Sequence, residues 1–193
     1  MNLIILAGAP FVAYYAFQKW RGKRGLDEVR RRVGLQLGAP RYIGYCAIAS
    51  AVGVAALCAF PPPLAPFLRE GSPQRAFQGL GIGFISITMA LSYGMIKTGF
   101  AEEFLFRGLI AGSLSRRLPL HWANIAQATI FLLPHFLALI VMPEMWVILP
   151  LVFAGALFTG WVRIKSGSIL GPWLLHGSLN VTMCLSVAAR TAV

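Results

Sequence analysis

Acidic residues are scarce. The 193-residue chain has six Asp and Glu against 17 Lys and Arg, and only 12% of its positions are charged. Soluble domains carry about 25% charged and about 45–50% apolar residues. Here 58% are hydrophobic, and the mean hydropathy is +0.71. One core of this size cannot hide that excess, which excludes a soluble single-domain enzyme, a disordered linker and a disulfide-stapled secreted module. Cysteines are also few. Cys46, Cys58 and Cys184 all lie inside apolar runs without CxxC or His-flanked spacing, so neither a disulfide framework nor a zinc knuckle is expected. Internal repeats and low-complexity stretches are missing. The composition predicts an all-α, polytopic membrane helix bundle in a single domain, 1–193. Residues 1–41 form a first helix and basic loop, and 42–193 the main bundle.

The net charge of +11 has a distribution that argues against nucleic acid as a partner. Eight of the 17 basic residues fall between Lys19 and Arg41, and the rest flank apolar runs. No basic face interleaved with aromatics accompanies them. Loops of this kind face anionic lipid headgroups, so the bilayer is the expected partner.

A helix crossing the bilayer core needs about 20 mainly apolar residues. Seven candidates follow: Met1–Gln18, Tyr42–Phe60, Gln78–Ile96, Thr98–Ser115, His121–Met142, Met145–Val162 and Ser168–Ala189. Six remain if the first lies on the surface. Met1–Gln18 has no basic n-region or small-residue cleavage site and reads as a retained helix. Pro61, Pro62 and Pro63 close the second span. Gly79, Gly81, Gly83, Gly108 and Gly112 are expected to let helices approach closely. With seven crossings, ten basic residues collect at the end holding Lys19–Arg41, Lys97 and Arg190. The other end collects six. The positive-inside rule then puts the first end in the cytoplasm and the N-terminus outside.

An ionisable side chain at mid-membrane costs about 2.5–3.5 kcal/mol and is a functional hypothesis by default. Asp27, Glu28 and Glu70 lie in polar loops, Glu144 at a helix junction and His121 at the start of a span. Glu102, Glu103, Arg107, His135, His176 and Asn180 remain within spans. At about 100° per residue, Arg107 lies about 40° from Glu103 and about 140° from Glu102. Glu103 and Arg107 therefore neutralise each other, while Glu102 faces elsewhere without a local cation and suits a general base. Phe131 and His135 share a face beside Pro134, which cannot donate to the Ile130 carbonyl and bends the helix. His176 and Asn180, four apart, share another face. They suit hydrogen bonding to an oxyanion, or metal ligation by the histidine with the amide behind it. Counted from the expected span ends, Glu102, His135 and Asn180 sit about 6–14 Å below the cytoplasmic surface, in a cavity opening to that side.

The order Glu-Glu-x3-Arg, Phe-x3-His, His-x3-Asn on successive apolar helices resembles the CPBP family of intramembrane proteases. That family includes the type II CAAX prenyl proteases and bacteriocin-processing proteins. Gly160-Trp161, Arg163, Ser166-Gly167-Ser168 and Pro172 resemble the segment leading into its last motif, and the likeness covers roughly 79–187. It implies that Glu102 and His135 activate the attacking water, that His176 and Asn180 stabilise the tetrahedral oxyanion, and that Glu103 and Arg107 support the site. The implied activity is endopeptidase cleavage of a membrane protein or lipid-anchored peptide, by CAAX-type or by C-terminal or leader processing. The residue types also permit zinc on Glu102, His135 and His176 with a water as fourth ligand. That set spends the base and leaves only Glu103, which Arg107 already occupies, so the metal-independent glutamate mechanism without a cofactor is favoured.

Three other readings compete. A non-catalytic scaffold or immunity-type protein would bind a peptide partner without cutting it. A proton-relay transporter is disfavoured by the small size and missing repeat symmetry. A cysteine protease on Cys184 and His176 fails because the two are more than two turns apart on one helix.

Overall fold

The computed structural model describes residues 4–192 and contains no strand among them. The first residues of the expected Met1–Gln18 helix lie outside the described part. A wide π-helical turn, Ile4–Gly8, leads into α1, Ala9–Gly22, and a polar link leads to the short α2, Leu26–Arg32. Helix α3, Pro40–Ala59, starts on a proline that needs no amide partner there and stops before the Pro61–Pro63 run. A connection with two 3-10 turns, Ala65–Leu68 and Pro73–Phe77, follows.

The next element corrects the sequence reading. The third and fourth expected spans are one unbroken helix, α4, over 84–114. It runs through Phe84–Leu91, Ser92–Phe100, Ala101–Glu103, Phe104–Ala111 and Gly112–Leu114, with π-helical hydrogen bonding in the second and fourth pieces. Lys97 looks in sequence like an interfacial turn, yet no proline or strained backbone breaks the chain there. Its ammonium lies 5.5 Å from the Tyr93 ring centroid, and Thr98 Oγ1 donates to the Tyr93 carbonyl at 3.0 Å. The expected start of that helix is also wrong. Gly79 and Gly81 have φ of +78° and +62° and belong to the connection.

Three helices complete the chain: α5, Leu120–Ala138; α6, Leu149–Ser166, entered through the 3-10 turn Pro143–Ile148; and α7, Leu170–Arg190. Helix α7 packs along both α3 and α4, while α5 pairs with α6. Two stretches, Pro40–Ala59 and Pro143–Ser166, are long and apolar enough to cross a membrane. Their outward faces expose large apolar side chains: Ile48 is 66%, Val52 64% and Leu151 74% accessible. Faces of this kind need an apolar solvent or a partner.

Merging two spans also regroups the charges. Ile169 N–H donates to the Gly34 carbonyl and Gln36 to that of Gly167, so the α2 region and the α6–α7 link share one end. The opposite end joins Arg69 to Glu144 and Arg190 to the Pro62 carbonyl. The first end therefore holds the eight basic residues of Lys19–Arg41 together with Arg116, Arg117, Arg163 and Lys165, twelve of the 17. The second holds Arg69, Arg75 and Arg190, while Lys97 and Arg107 lie along α4. This replaces the expected ten-to-six division. It also places the Met142 and Ala189 helix ends opposite the Lys19–Arg41 loop, so the depth argument based on those ends no longer stands.

Candidate active site

Helices α4 and α7 cross on small residues. A Cβ on Gly99 would stand 2.5 Å from the Gly94 carbonyl oxygen and 3.0 Å from the Gly177 Cα, and one on Gly94 would stand 2.7 Å from the Val181 amide nitrogen. This contact brings the acidic pair of α4 to the histidine of α7. Gly108 and Gly112 play a different part from the one expected. Gly108 packs against the Val33 carbonyl just after α2, and Gly112 against the Arg32 carbonyl at the end of α2 and the Arg163 guanidinium of α6.

Glu103 is 1% exposed, and its Oε1 accepts from His176 Nδ1 at 2.8 Å. The same oxygen stands 3.1 Å from Arg107 Nη1, a buried ion pair without the alignment of a hydrogen bond. Arg107 Nη2 donates to Thr159 Oγ1 on α6 at 2.7 Å, and its guanidinium lies 4.1 Å from the Phe131 ring centroid. Three helices thus meet on one guanidinium, and Glu103 extends the contact to α7. With its Nδ1–H spent on Glu103, His176 turns Nε2 toward Glu102, 3.8 Å from Oε2. Both facing groups are partly accessible, His176 at 19% and Glu102 at 23% of the side chain.

His135 donates from Nδ1 to the Phe131 carbonyl at 2.9 Å, which leaves its Nε2 as the lone-pair nitrogen of the neutral ring. Phe131 contacts both imidazoles, with ring centroids 4.7 Å from His135 and 6.1 Å from His176. Asn180 donates one amide hydrogen to Thr98 Oγ1 at 2.9 Å, and its second remains for another acceptor. At about 1.5 Å per residue, the four polar groups lie about 9–22 Å from the basic end. His176 is the nearest and His135 the farthest, so the site sits deeper than the expected 6–14 Å.

Two participants escaped the sequence reading. Thr98 anchors Asn180, and Thr159 anchors Arg107; both are buried. Each is an ordinary helix residue whose only signal is a hydroxyl in an apolar run. No three His, Cys, Asp or Glu side chains among the described residues converge as a metal ion requires. Glu102, His135 and His176 as placed therefore do not form a zinc-ligand set, and no chemical step is routed through one.

No curated protein and no solved structure matches the chain. A family model, that of the Rce1-like type II CAAX prenyl endopeptidases, matches residues 84–182, just over half of the sequence. Every polar side chain of the candidate site falls in that interval, from Thr98 and the acidic pair on α4 to Asn180 on α7. The chain belongs to the Rce1-like, type II CAAX prenyl endopeptidase family of CPBP membrane proteases.

Proposed function

We propose that this chain is a multi-pass intramembrane endopeptidase that hydrolyses a peptide bond near the lipid anchor or membrane segment of its substrate. The single observation that carries the reading is the placement of His176 between two carboxylates, bonded to buried Glu103 and facing accessible Glu102. A buried Glu103–Arg107 pair alone would explain a structural lock. A second carboxylate without a cation of its own, directed at the same imidazole, supports chemistry.

In this reading, the water is polarised by Glu102 and by the Nε2 lone pair of His135. Glu102 takes one proton from it as its oxygen attacks the scissile carbonyl. The Asn180 amide hydrogen not used by Thr98 donates to the oxyanion, and His176 joins it through Nε2 whenever that nitrogen carries a proton. Collapse breaks the C–N bond, and the proton held by Glu102 passes to the departing amine. General-base assistance contributes about 10²–10⁴-fold and an oxyanion donor about 10²–10³-fold. Glu103, Arg107 and Phe131 hold the two imidazoles in place. No metal or other cofactor is invoked.

We further place the chain as one membrane domain, 1–193, with up to six long helices crossing the bilayer. The twelve-residue basic end lies in the cytoplasm, and water enters from that side, from which His176 is reached first. Substrates of the CAAX type, prenylated and membrane-associated, fit this placement. The test is cleavage of a co-expressed prenylated substrate. Glu102→Ala and His135→Ala abolish processing while the protein still accumulates in membranes. Retained processing by Glu102→Ala ends the glutamate mechanism, and a parent chain that binds the substrate without cutting it leaves the scaffold as the better reading.

A further inference from the structure

At the basic end, between α2 and the last turns of α4 and α6, lies a cavity of about 380 Å³ whose wall includes Arg31, Arg32, Arg116 and Arg163, with Glu28 as its one acid. That volume is within the range of small-ligand sites, about 300–1,000 Å³. Glu28 is already engaged: one oxygen accepts from Arg24 Nε at 2.8 Å and from Arg32 Nε at 3.0 Å. The Arg32 and Arg24 contacts hold its carboxyl below the usual carboxylate range, so it remains anionic and committed to them.

Arg31, Arg116 and Arg163 have no carboxylate within ion-pair distance among the described residues. Arg163 is 5% exposed, gives Nη2 to the Arg32 carbonyl at 2.8 Å, and its Nε has no hydrogen-bond partner among the described residues. Arg116 bonds the Tyr14 hydroxyl at 2.9 Å and approaches the Arg32 carbonyl at 3.4 Å. Small residues keep the space open: a Cβ on Gly112 would stand 3.0 Å from both Arg163 Nη2 and the Arg32 carbonyl oxygen. Holding like charges around one cavity is unfavourable unless an anion joins them. Forked guanidiniums match a tetrahedral oxyanion with several acceptor oxygens.

We propose that this cavity binds a phosphate group. Two sources share the chemistry: the headgroup of an anionic phospholipid, which lies at this height if the basic end faces the cytoplasm, and free phosphate. A bound phosphate would tie α2 to α4, the helix carrying Glu102 and Glu103, and to α6, where Arg163 follows Thr159 by one turn.

The test uses the purified full chain in lipid nanodiscs. In discs of equal phosphatidylcholine and phosphatidylglycerol, native mass spectrometry reads which lipid stays bound. In phosphatidylcholine-only discs, titrated inorganic phosphate is followed by thermal unfolding. The comparison protein is the Arg31→Gln, Arg116→Gln double variant, both exposed positions outside the catalytic proposal. Selective retention of phosphatidylglycerol, weakened at least tenfold in the variant, supports the site with the headgroup as its source. Phosphate stabilisation without lipid selectivity, likewise lost in the variant, supports it with free phosphate as the source. The proposal is overturned if neither anion binds, or if the variant binds either as tightly as the parent. Cleavage activity does not enter these readouts, so the catalytic reading and this one fail separately.

Discussion

His176 and Glu103, 73 positions apart in the chain, meet through a 2.8 Å hydrogen bond from the imidazole Nδ1 to a carboxylate that solvent hardly reaches. Glu102, the adjacent residue, makes no side-chain hydrogen bond among the described residues and is partly accessible. Two neighbouring glutamates should therefore respond oppositely to the same change. Glu103→Gln leaves Arg107 buried without its counter-charge, a loss of about 3–5 kcal/mol, read as a lowered unfolding midpoint and poor accumulation in membranes. Glu102→Gln keeps the midpoint and lowers kcat by about 10²-fold or more. Equal stability losses from both would remove the distinction.

Thr159→Val deletes the acceptor for Arg107 Nη2 while keeping the side-chain volume. An unsatisfied buried donor costs about 1–3 kcal/mol, and thermal unfolding in detergent should fall accordingly. Thr159→Ser restores the hydroxyl and most of the stability.

Thr98→Val acts on activity instead. It removes the oxygen to which Asn180 donates, so the amide loses its fixed orientation. The expected result is a kcat lowered by about tenfold, against about 10²–10³ for Asn180→Ala, with KM little changed and Thr98→Ser close to the parent. A Thr98→Val protein with full kcat would show that the amide needs no anchor.

Two glycine-to-alanine changes should differ in sign. At Gly99 the new methyl meets backbone atoms of Gly94 and Gly177 that cannot move aside, so α4 and α7 separate and unfolding comes earlier. At Gly155 nothing lies within 4 Å, and the helix gains about 0.5–1 kcal/mol from the added methyl. Melting temperatures of the two purified variants decide it.

Metal dependence is tested directly. Activity should survive chelation and should not rise on adding zinc. Loss with chelator and recovery with zinc would replace the glutamate mechanism with a metal-assisted one.

The all-helical architecture was legible because apolar runs punctuated by prolines and basic clusters leave few other ways to fold. The Glu103–Arg107 approach was legible too, since four positions on one helix bring two side chains together whether the turn is tight or slightly widened. The join at Lys97 was not. A charged residue between two apolar runs has the same appearance at a membrane surface and along a continuous helix, and only the contacts of Tyr93 and Thr98 distinguish them. That one misreading carried the wrong charge division and the shallow site with it. The bond from His176 to Glu103 was hidden for another reason: it depends on how closely two helices cross, and the deciding glycines, Gly94 and Gly99, carry no chemistry to attract notice.

Lys97 is exposed partway along the longest helix, with loops at neither side of it. In a bilayer, an ammonium at that level draws phosphate and water inward and thins the lipid beside it. The membrane next to this protein should therefore be dented at that level, so that the lipid beside α4 is thinner than the bilayer around it.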